Sequence, residues 1–248
     1  MASEKRIART SAARAAVTDD ATVSQDAMYR LMTWLSPAYP VGAFSYSSGI
    51  EWAVEAGDIT NIETLRHWLE AMLSDGSGTN DGIFFAETHR AVTDGKDAAL
   101  VEIAELAAAF VPTRERHLET TSLGRAFIDV TRAAWPCPAL IKLQELWRGP
   151  VAYPVAVGVA CAGHSVPLAL ASHAFLTALT ANWVSAGVRL IPLGHTESQN
   201  LLRMLKPTVA RTVQRALGAT RDDLGSATFR ADLASARHEA QYTRLFRS

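Results

Sequence analysis

Apolar residues along this chain return every three to four positions, the spacing of a buried helix face, and runs that alternate as strands do are absent. Ile62, Leu65, Leu69, Met72 and Leu73 form one such stripe. Thr60-Asn61-Ile62-Glu63 ahead of it has the form of a capping box, in which a hydroxyl and a carboxylate satisfy free helix amides. The pattern predicts helices over about residues 26–35, 43–57, 62–73, 80–92, 97–110, 113–130, 136–147, 168–188 and 196–217. Pro37, Pro40 and Gly42 mark a turn between the first two. Ser74-Asp75-Gly76-Ser77-Gly78 interrupts the chain before the fourth. A second capping box, Thr196-Glu197-Ser198-Gln199, opens the last helix, which Pro207 is expected to kink or split.

Residues 149–188 contain no Asp, Glu, Lys or Arg. Leu168 to Val188 is about long enough to cross a bilayer. It carries Ser172, His173, Thr177, Thr180, Asn182 and Ser185, however, and lacks flanking basic clusters. A helix apolar nearly all round also suits the centre of a bundle. The expected fold is therefore all-α: a single-domain bundle of about ten helices, with buried central helices within 149–188. Around it the chain divides into a flexible leader (1–25), the helical domain (26–218) and a polar, Arg-rich tail (219–248) suited to ordering on a partner.

Composition adds exclusions. With 248 residues, 48% hydrophobic and 20% charged, the chain has fewer charges than the usual ~25% of soluble domains. Surplus apolar surface suits a subunit interface. A net charge of −1 creates no field that would draw nucleic acid or an anionic membrane. Cys137 and Cys161 lie far apart and form no zinc-type spacing, and a reduced, cytoplasmic setting is expected.

Catalytic motifs are not found. Gly95-Lys96 leads into Asp97 and lacks the upstream glycine of a phosphate-binding loop. The seven histidines fall at 67, 89, 117, 164, 173, 195 and 238, with no pair at i, i+3 or i+4 to place two ligands on one helix face. The chain is expected to be non-enzymatic. Its most distinctive stretch is uncharged until its last residue: Leu35-Ser36-Pro37-Ala38-Tyr39-Pro40-Val41-Gly42-Ala43-Phe44-Ser45-Tyr46-Ser47-Ser48-Gly49-Ile50-Glu51. It suits either a tightly packed turn or a rigid recognition surface.

That stretch resembles the signature of the urease accessory protein UreF family, which typically reads LSPAFPVGAFSYSHGLE. Arg116 to Phe127, Tyr153 to Gly158, Asn182 to Gly194 and Arg237 to Ser248 resemble further family motifs in the same order. Ser48 stands where the family often has His, His195 where it has Gln, and Glu197-Ser198 where it has Asp-Gly.

The resemblance implies an all-α homodimer that bridges a UreD-type (UreH) protein and the GTPase UreG, in an assembly that meets apo-urease and inserts nickel. It implies no tightly bound cofactor, with nickel at most in transit, and no nucleic-acid or membrane partner. For partner docking it points to Tyr39, Pro40, Gly42, Phe44, Ser45, Tyr46, Glu51 and Arg189, and in the tail to Arg237, His238, Tyr242, Arg244 and Phe246. The alternative is a nickel-binding metallochaperone with its own site at the dimer interface, for which His195 and His238 are the candidate ligands.

Overall fold

The structure, a computed structural model, describes residues 25–248. The expected leader falls, but for residue 25, outside the described residues. Helix α1 (residues 25–34) ends in Trp34, fully buried against the edges of Phe127, Trp135 and His164. There follow α2 (Ile50–Glu55), α3 (Ile62–Asp75), α4 (Ser77–Thr93), α5 (Asp97–Ala109), α6 (Arg114–Ala134), α7 (Pro138–Leu146), α8 (Tyr153–Gly163), α9 (Leu168–Leu190), α10 (His195–Gly218) and α11 (Phe229–His238). No strand occurs among the described residues, and the fold is an all-helical bundle.

The charge-free stretch forms its centre. Helix α8 is buried from Pro154 to Cys161 and packs chiefly on α4 and α6. Close approach explains its small residues: a Cβ at Gly158 would sit 3.0 Å from the Phe85 carbonyl, and Gly124 of α6 lies against the Val151 carbonyl. Helix α9 buries Phe175, Leu176, Trp183 and Val184 and packs on α10, α4 and α2. Among the described residues no helix is long and apolar enough to cross a membrane.

Several local expectations are corrected. The helix expected over 43–57 is broken into a 3₁₀ turn (Ala43–Ser45) and α2, because Ser48 and Gly49 adopt φ values of 56° and 82°. Gly49 is required there twice over, since its conformation is left-handed and a Cβ would lie 2.7 Å from the Ser235 amide of α11. The capping boxes also shift. Asn61, not Thr60, caps α3, its Oδ1 accepting from the Glu63 and Thr64 amides. Glu197 reaches back to the Gly194 amide at 2.7 Å, starting α10 before Thr196. Pro207 lies inside α10 without splitting it. Helix α4 starts at Ser77, three residues ahead of the expected Asn80, because Gly76 alone separates it from α3.

Candidate functional site

The residues around Ser48 and the chain from His238 to Ser248 form one site. The left-handed turn at Ser48 aims its hydroxyl inward, and the residue is 2% exposed. Ser48 Oγ donates to Glu119 Oε1 (2.9 Å) and accepts from Arg116 Nη1 (2.8 Å) and Trp183 Nε1 (2.9 Å). One small hydroxyl thus ties α6 and α9 to the signature segment. Arg116 and Glu119, one helical turn apart on α6, also pair directly at 2.6 Å. The pair is buried, and the Ser48 hydroxyl supplies further hydrogen bonds that a desolvated pair needs.

The tail closes over this hub. Ser248 Oγ donates to Glu119 Oε2 at 2.9 Å. The Ser248 carbonyl accepts from the Ser47 amide (2.5 Å) and hydroxyl (2.6 Å), and the Arg247 amide donates to the Ser45 carbonyl at 2.7 Å. Glu51 opens α2, and its carboxylate accepts from the Leu245 and Phe246 amides at 2.6 and 3.0 Å. His238, at the end of α11 and fully buried, has Nε2 2.8 Å from Glu51 Oε2 and Nδ1 2.6 Å from Glu115 Oε2. Both ring nitrogens thus lie within hydrogen-bonding distance of carboxylate oxygens. Arg244 reaches Glu115 Oε1 at 3.1 Å. Arg189 of α9 donates to the Phe44 carbonyl (2.7 Å) and lies 4.4 Å over the Phe246 ring, a cation–π contact.

The candidate residues therefore divide by burial. Tyr39, Tyr46, Glu51, His238 and Phe246 are buried. Tyr39 hydrogen-bonds Thr131 Oγ1 at 2.8 Å, and burial raises its pKa against that bond. Pro40, Phe44, Arg189, Arg237, Tyr242 and Arg244 are exposed, while Gly42 and Ser45 are half-buried. The segment expected to order on a partner, 219–248, is ordered here on its own chain. Its buried residues are structural anchors in this arrangement, and its exposed ones remain free for contact.

His195 is exposed at the start of α10, far in sequence from the tail, and both nitrogens of His238 are occupied by carboxylates. Among the described residues no group of three or more His, Cys, Asp or Glu is arranged to hold a metal ion.

Sequence reasoning missed Glu115, Arg116, Glu119 and Trp183 as members of the site. The i, i+3 spacing of Arg116 and Glu119 was the one local signal available.

This arrangement joins the signature segment, the Arg116–Phe127 stretch, the late motif at Arg189 and the chain end, four segments whose resemblance pointed one way. The UreF family profile matches residues 59–206. The chain belongs to the UreF family. It is 64% identical over 222 residues to the urease accessory protein UreF of Bradyrhizobium diazoefficiens, which spans 90% of this chain and 92% of the relative. The urease accessory protein UreF of Rhodopseudomonas palustris strain HaA2 is 62% identical over 89% of this chain and 93% of its own length. That of strain BisB18 is 60% identical over 93% and 97%. The UreF motifs thus converge in space, and these UreF relatives are named as accessory proteins to urease.

Proposed function

We propose that this chain acts as a non-catalytic scaffold in the nickel-insertion complex of urease, bridging a UreD/UreH-type protein and the UreG GTPase. In this role it recruits and regulates the GTPase while apo-urease receives the metal. Nickel is cargo of the assembly. The reading extends to a cytoplasmic homodimer, and the exposed Met28, Tyr29 and Met32 on α1 are apolar surface such an assembly could cover.

The observation that carries the proposal is the composite surface made where the tail lies on the signature segment. Buried polar contacts fix its backbone, and exposed Phe44, Arg189, Tyr242 and Leu245 project from it. Rigid aromatic and Arg side chains on a preordered frame suit recognition, because little side-chain entropy is lost on docking. High identity to urease accessory proteins over nine-tenths of the chain supports the same reading.

The experiment is co-purification of the full chain with UreG and a UreD/UreH-type protein, together with nickel analysis of urease from a strain lacking this chain. Capture of both partners and metal-poor urease in the deletion strain are expected. Fully metallated urease without this chain rejects the proposal.

A further inference from the structure

Between α4, the amino end of α6 and residues 226–235 lies a cavity of about 160 Å³. A single ordered water needs on the order of 10–15 Å³ on this measure, so the space admits a ligand of several heavy atoms. Phe110, Pro112 and Ser226 at its edge are exposed, whereas Arg116, Ser48 and Thr120 are buried in its wall.

Its charges do not balance. Asp81 of α4 and Asp232 of α11 both line it, and Arg116 is the single cationic side chain in its wall. Arg116 is already committed: Nη1 lies 2.6 Å from Glu119 and 2.8 Å from Ser48, while Nη2 comes only within 3.9 Å of Asp81. Among the described residues no hydrogen bond reaches the Asp81 carboxylate. Burial pushes the Asp81 pKa up to about 6, with Glu119 adding to the rise and Arg116 opposing it. Burial also raises Asp232, against Ser226 and Arg116. Both carboxylates would therefore gain from a cation beside them.

The remaining walls select the kind of cation. Phe84 and Phe110 meet edge to face at 5.9 Å, offering aromatic surface to an alkyl or planar cation. Two carboxylates beside a fixed guanidinium are a poor set for a divalent metal, which needs several converging oxygen or nitrogen ligands.

We propose that this cavity is a binding site for a small organic cation with a guanidinium or alkylammonium head, held between Asp81 and Asp232 with its carbon chain against Phe84 and Phe110. Bound there, the cation ties α4 to α11 and favours the docked tail by mass action. The same head group can arrive on a free small molecule or on a basic side chain of another protein.

Titration calorimetry on the full chain, with ethylguanidine and with the tripeptide Gly-Arg-Gly as probes, tests this. Ethylguanidine should bind at millimolar concentration or below. Asp81→Asn and Asp232→Asn should each weaken it at least ten-fold, as should Ala231→Leu, which fills the cavity and leaves both carboxylates in place. Comparable binding of the tripeptide identifies a cavity open to side chains, and binding of ethylguanidine alone identifies one for free small molecules. Either result supports the site. Absence of binding by both probes to the folded chain, or binding that all three substitutions leave unchanged, overturns it.

Discussion

His238 Nε2 lies 2.8 Å from Glu51 Oε2 across 187 residues of sequence, and the other ring nitrogen meets Glu115. The imidazole pins the end of α11 to the starts of α2 and α6, and the same Glu51 carboxylate holds the Leu245 and Phe246 amides. Removing the imidazole takes one hydrogen-bond partner from each of two buried carboxylates, at a cost of about 1–3 kcal/mol per group. His238→Ala should therefore lower stability by roughly 3 kcal/mol in urea unfolding. It should also open the tail to trypsin at Arg244 and Arg247. Unchanged stability and protease resistance would show that Phe246 and the Ser47–Ser248 contacts hold the tail without this imidazole.

Ser48 serves three buried groups at once: Arg116, Glu119 and Trp183. Ser48→Ala removes one acceptor and one donor while adding no bulk. A buried group left unpaired costs about 1–3 kcal/mol, so a loss of roughly 2–3 kcal/mol is expected, measured by chemical denaturation. Trp183 fluorescence should change in the folded baseline, because its indole N–H loses its acceptor.

Asp81 carries a pH signature. In the folded chain it keeps its proton up to about pH 6, against an ordinary value of 3.8. Between those values the folded state binds more protons than the unfolded one, so this group's contribution to stability falls as pH rises through the window. Above pH 6 the full cost is present, roughly 2–3 kcal/mol. Asp81→Asn should remove that slope and stabilise the chain at pH 7. At about 2–4 °C per kcal/mol for a chain of this size, the melting temperature should rise by several degrees. Equal melting temperatures for the two proteins at pH 4 and at pH 7 would contradict the assignment.

Local signals carried the bundle and failed at the site. Thr113 caps α6 through the Arg116 amide, and Pro138 opens α7, both at places where the chain announces them within a few residues. The charge-free stretch likewise reads directly as buried helix, since α8 has no face left for solvent. By contrast, Glu51 and His238 are ordinary polar residues in sequence, and only tertiary contact makes them a pair. Phe246 reads as an exposed tail aromatic until α9 supplies Arg189 above it. Ser48 hid its role differently. A non-glycine residue at φ 56° is rarely written in a sequence, and that conformation turns its hydroxyl into the core.

Phe44 and Tyr242 should separate recognition from folding. Phe44 is 67% exposed beside the carbonyl that Arg189 holds, and Tyr242 is fully exposed four residues from buried Phe246. Neither side chain supports the core, so Phe44→Ala and Tyr242→Ala should change stability by no more than about 0.5 kcal/mol. An aromatic side chain at the centre of an interface is worth about 2 kcal/mol or more, which is at least a twenty-fold loss of affinity. Each variant should therefore weaken capture of UreG or of the UreD/UreH-type protein while its helical circular dichroism stays unchanged. The pattern of losses also orients the complex, because a residue that affects one partner alone lies on that partner's side. Full capture of both partners by the double variant would remove this surface from the docking assignment and leave the tail a purely structural clasp.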